Sequence, residues 1–316
     1  MEKLIISSSP HVHTKTTTQT IMRDVLISLA PATVASIVLF GIKALIMVLV
    51  CVATSVLSEF LFNVVVKKKQ TVCDLSAAVT GLLLALTLPS TVGIWECIVG
   101  SVFAIVVVKC LFGGIGCNFA NPAITARVML LIAFGATVGG GAATNFQDAD
   151  FATSATPLQA LKDGALTMPS LTDMFLGNIG GAIGETCALA LILGGIYLVA
   201  RKVISWHTPV IYVGTVFVLS LIIKQDLTEA IYQVLGGGLL LGAIFMATDY
   251  VTSPINKGGK MVFAFGCGLL TVLIRFFGKL PEGVSYAILV MNIISPYIEK
   301  WCAKTPLGKV GKKNEV

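Results

Sequence analysis

Charge is what this chain lacks most. Only 12% of its 316 residues are Asp, Glu, Lys or Arg, against 56% hydrophobic residues, and histidine occurs just 3 times. An ordinary soluble domain carries about 25% charged residues. A water-soluble fold of this size would not find enough polar surface to cover itself, which excludes a cytosolic enzyme, a nucleic-acid-binding domain and a disordered chain. Cysteine is present, at positions 51, 73, 97, 110, 117, 187, 267 and 302, but no two have CxxC spacing and most sit inside apolar runs. That pattern supports neither a disulfide framework nor a zinc site, and reads instead as small buried hydrophobes. A cleavable signal peptide is also missing: residues 1–23 are polar and threonine-rich, ending at Arg23-Asp24, and an apolar run long enough to span follows at once.

What is present is a succession of such runs. A membrane span needs about 20 mainly apolar residues. Ten are read, at 24–41, 44–66, 73–92, 94–112, 121–139, 174–200, 204–223, 228–248, 261–278 and 283–299, with the longest polar interval at 140–173. The net charge of +6, from 22 basic and 16 acidic residues, then serves topology rather than nucleic-acid binding. With the N-terminus inside, 17 of the 22 basic residues fall on the inner side, Lys109 and Arg127 among them. Lys43, Lys162, Lys224, Arg275 and Lys279 fall outside. The positive-inside rule favours this orientation over its reverse. It gives cytoplasmic N- and C-termini in the cytoplasmic membrane and puts the 140–173 loop outside.

The chain also resembles itself. Thr80-Gly81-Leu82-Leu83-Leu84 is echoed by Gly237-Gly238-Leu239-Leu240-Leu241, 157 residues on, in the third and eighth runs. The fourth and ninth runs end alike, in Lys109-Cys110-Leu111-Phe112-Gly113 and Arg275-Phe276-Phe277-Gly278. The fifth and tenth open on proline clusters, Asn121-Pro122-Ala123 and Pro281-Glu282-Gly283. Because five is odd, two five-span halves must face opposite ways, the inverted-repeat plan of many transporters. The expected fold is therefore an all-α polytopic membrane protein of about ten transmembrane helices in two inverted five-helix repeats. A segment 1–23 would precede repeats 24–139 and 174–300, the 140–173 loop would separate them, and a basic tail 301–316 would follow.

Several runs are broken by residues that do not belong in hydrocarbon: Asp74 with Ser76, Gly113 to Asn121, Gly177 to Thr186, and Thr248 to Pro254. Irregular backbone at membrane depth is tolerated only where protein buries it or water reaches it. Glu185 carries this argument furthest, since an isolated carboxylate at the bilayer centre costs several kcal/mol. It needs a partner, and it is the candidate catalytic, ion-coupling residue. Asp74 and Asp249 stand near run ends, where an interfacial carboxylate is ordinary.

The 140–173 loop contains Asp150-Phe151-Ala152-Thr153-Ser154-Ala155-Thr156-Pro157. Read alone this is a polar loop whose Thr156 hydroxyl is open to esterification. The pattern Asp-x-x-Ser/Thr-x-Ala-Thr resembles the motif that a flavin transferase modifies outside the cytoplasmic membrane, and Asp150, Thr153, Ala155 and Thr156 match each specified position. With that motif in place, the chain from Ser9-Pro10-His11 to Asn292-Ile293-Ile294-Ser295-Pro296 resembles the RnfD family, membrane subunits of the Rnf ion-translocating ferredoxin:NAD oxidoreductase complex. The sister family is NqrB, of the sodium-pumping NADH:quinone reductase. Asp74-Leu75-Ser76-Ala77-Ala78, Gly184-Glu185-Thr186, Phe245-Met246-Ala247-Thr248-Asp249 and Thr252-Ser253-Pro254 carry the likeness further. One departure is Cys117-Asn118-Phe119-Ala120 before Asn121-Pro122, and no redox role is assigned to Cys117.

The resemblance implies FMN joined to Thr156 through a phosphoester, with Asp150, Thr153, Ser154 and Ala155 as the recognition residues around it. It implies other Rnf subunits as partners, a flavin transferase for maturation, a lipid surround, and electron flow from ferredoxin to NAD that drives sodium or protons outward. The flavin phosphate would retain a charge, for which Arg275 and Lys162 are candidate cations. The glycines of 177–184 would let a flat ring approach the backbone. The sister enzyme holds a second, non-covalent flavin, for which the breaks around Asp74, Asn121 and Asp249 offer a place, as they do for a transported ion. Two competing readings are a channel or secondary transporter without redox chemistry and a membrane scaffold with a vestigial motif.

Overall fold

Each apolar run folds as helix as far as its Gly, Pro and Asn residues allow. The computed structural model describes residues 16–139, 156–163, 169–278, 280 and 282–303, and no β-strand occurs among them. Helix α1 (Thr18–Phe40) starts from a Thr17–Thr20 capping box. Gly41, at φ 70°, turns the chain directly into α2 (Ile42–Val65). Then come α3 (Ser76–Leu86), α4 (Ile94–Val102) running on as a π-helix over Phe103–Cys110, α5 (Pro122–Ala133) and α6 (Gly135–Val138). Short α7 (Pro157–Lys162) and α8 (Leu171–Leu176) lead to α9 (Ala188–Ala200) and α10 (His207–Lys224). Helix α11 (Leu227–Leu235) is followed by α12 (Leu239–Leu241), which continues as a π-helix over Gly242–Met246, and α13 (Lys257–Phe277) and α14 (Val284–Cys302) complete the bundle.

Among the described residues four helices, α1, α2, α10 and α13, are long and apolar enough to cross a membrane alone, and α11 with Leu239–Met246 is an apolar pair bent by 61°, a broken span or a re-entrant loop. Their outward faces are apolar, with Val34, Leu49, Leu57 and Ile222 all more than half exposed. Water would penalise such a surface and hydrocarbon would not. The chain is an all-α polytopic membrane protein. The expected run 174–200 is not continuous: Gly177, at φ 99°, ends α8 in a conformation that suits glycine, and helix resumes only at Ala188. The runs 73–92 and 121–139 likewise hold only the 11-residue α3 and the 12-residue α5 as their main helices.

The helices pair in a repeated pattern. Helix α2 packs on α3 and α4, and α10 packs on α11 and α13. Helices α1 and α9 pack on each other, as do α5 and α14. The basic residues at the matching run ends have matching tasks. Lys109 Nζ donates to Ser76 Oγ at 2.8 Å, at the start of α3. The Arg275 guanidinium donates to the carbonyls of Gln233 and Gly236, at the break between α11 and α12. Ser76 and Gln233 stand 157 residues apart, the spacing of the sequence repeat.

The broken segments satisfy one another. The irregular stretch after α8 donates Ile183 N–H to Leu88 O (3.0 Å) and Gly184 N–H to Leu86 O (2.9 Å), at the end of α3 and just beyond it. A Cβ on Gly184 would lie 2.9 Å from Leu86 O, so only glycine permits this approach. At the far end of the bundle, Asn121 caps α5 by accepting from Ala123 N (3.1 Å), and its amide donates to Met246 O (3.4 Å). Irregular backbone thus survives because other protein backbone meets it.

Lys109 also pairs with Glu59 of α2 at 2.8 Å, and both side chains are 3% exposed. Lys109→Met should leave a buried carboxylate without its cation and cost about 3–5 kcal/mol, whereas Glu59→Gln with Lys109→Met should recover most of that loss. Thermal unfolding of the two variants in detergent measures the difference. Equal destabilisation of both would mean that packing, not charge, dominates there.

Candidate functional site

The second broken region brings charged residues together from three parts of the chain. Arg127 lies in the second turn of α5, deep in the bundle, and is 5% exposed. Its NH1 donates to Glu185 Oε1, in the irregular stretch before α9, and its NH2 donates to Glu282 Oε2, just ahead of α14. Glu185 is itself buried, while Glu282 remains about a quarter exposed. One guanidinium therefore faces two carboxylates across the two halves of the chain. Among the described residues, Glu185 Oε2, Arg127 Nε and Thr186 Oγ1 are buried without a hydrogen-bond partner.

Thr156 stands beside this cluster. It caps α7, with its hydroxyl oxygen accepting from Gln159 N at 3.3 Å. It lines one cavity, of about 60 Å³, together with Arg127, Glu282, Pro89, Leu131, Val138 and Tyr286. It also lines a much smaller one, of about 10 Å³, with Gly180, Gly181, Glu185, Thr186 and Glu282. The hydroxyl that the sequence marks for esterification and the carboxylate marked for ion coupling thus border one space. The partner that Glu185 requires is Arg127.

Other expectations fall elsewhere. Asp150, Thr153, Ser154 and Ala155 lie outside the described residues. Lys162 and Arg275 do not line the cavities at Thr156. Lys162 Nζ caps the carbonyls of Gly278 (2.6 Å) and Leu280 (3.2 Å), and Arg275 holds the α11–α12 break. Arg127, counted among the inner-side topology residues, is a buried ion-pair residue, as is Lys109, and Arg275 is buried as well. The sequence carries a signal for Arg127, a basic residue inside an apolar run, which loop counting passes over. Glu185 is also not alone: Glu59 and Glu96 are buried carboxylates in helices, the latter accepting from Gly93 N (3.1 Å) and Thr137 Oγ1 (3.0 Å).

The opposite end of the bundle holds a second space, of about 100 Å³ and partly open, between α1, α3 and the π-helical end of α12. Lys109, Asn118, Asn121 and Asp249 line it, with apolar Val25, Leu83 and Phe245. Asp249 accepts from Thr252 Oγ1 at 3.1 Å. Asp74 is not among its lining residues. Of the eight cysteines, Cys51, Cys97, Cys110 and Cys267 are buried, whereas Cys73 and Cys117 are exposed.

The sequence profile of the NQR2, RnfD, RnfE family matches residues 5–308. The chain is 45% identical to the D subunit of the Na(+)-translocating ferredoxin:NAD(+) oxidoreductase complex of Acetobacterium woodii, over 99% of this chain and 98% of that one. It is 38% identical to the D subunit of the proton-translocating ferredoxin:NAD(+) oxidoreductase complex of Clostridium ljungdahlii, over 96% of each. It is 37% identical to the D subunit of the ion-translocating oxidoreductase complex of Stutzerimonas stutzeri, over 92% of each.

Arg127→Met should destabilise the bundle by about 3–5 kcal/mol, because it strands two carboxylates at once. Glu185→Gln should cost much less, since Arg127 keeps Glu282. The thermal midpoints of the two variants in detergent check the order, and a larger loss for Glu185→Gln would contradict it.

Proposed function

The chain belongs to the NQR2, RnfD, RnfE family, and from that premise we propose that it is the membrane subunit of an ion-translocating ferredoxin:NAD oxidoreductase complex, carrying FMN as a phosphoester on Thr156. The observation that carries the reading is the position of the Thr156 hydroxyl on a cavity that it shares with the Arg127–Glu282 pair, following a matched Asp150–Thr156 motif. The residues present fit such a group. An apolar wall of Pro89, Leu131, Val138 and Tyr286 suits a flat ring. When bound, the flavin would supply one- and two-electron transfer, while the protein supplies position and electrostatics.

The chain's own part is to hold and screen. Thr156 fixes the attachment point at the start of α7, and Pro157 sets that turn. Arg127 keeps Glu185 and Glu282 in one place. With one positive group against two negative ones, the cluster can gain a proton or a small cation, and that makes Glu185 the proposed ion-coupling residue. The relatives are named for sodium in one case and for protons in another, and either ion suits such a cluster. The space at the opposite end, lined by Asn121 and Asp249, is the proposed place of a second, non-covalent flavin. Other Rnf subunits, a flavin transferase and the lipid of the cytoplasmic membrane are the proposed partners, with both termini cytoplasmic.

The denatured chain, made together with a flavin transferase, should fluoresce on a gel under ultraviolet light, and Thr156→Val should abolish the signal. Fluorescence that persists in that variant rules out the attachment site. For sidedness, a cysteine placed at Asp148 should react with an impermeant thiol reagent in intact cells and one at Lys68 should not. The reverse pattern would overturn the orientation.

A further inference from the structure

Basic residues are rare on the side of the membrane that carries Thr156, yet three of the five that the sequence count puts there line one cavity. Lys162 at the end of α7, Lys224 at the end of α10 and Arg275 near the end of α13 surround a space of about 210 Å³, with Glu229 and Gln233 of α11. Glu229 pairs with Lys224 at 3.2 Å and is the one carboxylate among the described residues that line the space, while Glu282 and Glu185 act on Arg275 from the Thr156 side. Arg275 is 5% exposed, and its Nε has no hydrogen-bond partner among the described residues. Thr156 lines two other cavities and not this one, although Gly237, beside both Arg275 and Glu282, brings the two sites close.

The residues beside the lining ones are apolar and exposed. Ile222 and Ile223 precede Lys224, Leu227 precedes Glu229, and Phe277 follows Phe276. A surface of this kind faces acyl chains, while the cations behind it face a headgroup. We propose that this cavity binds the phosphate of an anionic phospholipid from the leaflet on the Thr156 side, held by Lys162, Lys224 and Arg275. A net-positive pocket on the membrane side where basic residues are otherwise sparse would attract a negative headgroup and discriminate against a zwitterionic one. The lipid would bridge α7, α10 and α13, and so brace the helix that Thr156 caps.

The test uses the purified full-length chain, delipidated in neutral detergent, with retained lipid counted by native mass spectrometry. Dioleoyl phosphatidylglycerol should bind more tightly than dioleoyl phosphatidylcholine. Lys162→Gln and Lys224→Gln should each weaken the phosphatidylglycerol affinity by about fivefold, the loss that follows from one basic contact. Glu229→Gln removes the carboxylate that lines the pocket and should tighten binding, a gain that structural damage would not mimic. Equal binding of the two lipids, or phosphatidylglycerol affinity unchanged in all three variants, would overturn the proposal. Saturation by inorganic phosphate with no preference for phosphatidylglycerol would also overturn it, by assigning the site to a free anion.

Discussion

A guanidinium held between two carboxylates inside an apolar bundle is the constraint on which the rest of this structure turns. Removing Arg127 and Glu185 from water costs several kcal/mol each, and only close pairing returns it. Arg127 achieves that pairing by joining residues 58 and 155 positions away. The link crosses from the first half of the chain to the second, so the halves cannot separate at this point without exposing bare charge to hydrocarbon. It also fixes the irregular stretch that contains Glu185, which no helical hydrogen-bonding pattern would otherwise hold.

The broken helices follow from the same constraint. A membrane protein gains nothing from an interrupted helix unless the freed backbone groups serve a site. Here the end of α3 supplies carbonyls to Ile183 and Gly184, and Asn121 ties the start of α5 to the end of the Gly242–Met246 π-helix. One junction lies at the Thr156 cavities and the other at the space lined by Asn121 and Asp249. The two proposed cofactor positions therefore sit at two of the places where the fold abandons regular helix. Lys109 and Arg275, at corresponding run ends, brace the breaks beside α3 and α12.

Much of this is legible in the residues. The apolar runs locate the helices, the glycines and prolines locate the breaks, and the charge scarcity points to the membrane. Glu185 stands out by the cost of leaving it alone, and its need of a cation, a hydrogen-bond donor or its own proton follows from the same cost. What runs and spacing do not encode is which residues meet across the bundle. Arg127 reads as a marker of the inner side because it lies close to the start of its run, whereas a long side chain reaches a turn or more along a helix. Lys162 and Arg275 are natural candidates for the flavin phosphate because they share its side of the membrane, but side gives depth and not position around the bundle, and they line a different cavity. The run 174–200 reads as one span because its apolar count is high, although four glycines within 177–184 break it.

The central claim is that the Arg127–Glu185–Glu282 cluster serves ion coupling beside the flavin threonine rather than packing alone. The most direct measurement is of ferredoxin:NAD electron transfer and ion uptake together, in membrane vesicles whose complex carries Glu185→Gln. The account predicts that the chain assembles and takes up flavin as the parent does, while the ions moved per electron fall several-fold or electron transfer slows. Parental rates of both electron transfer and ion uptake in those vesicles would contradict it and leave Glu185 a structural residue.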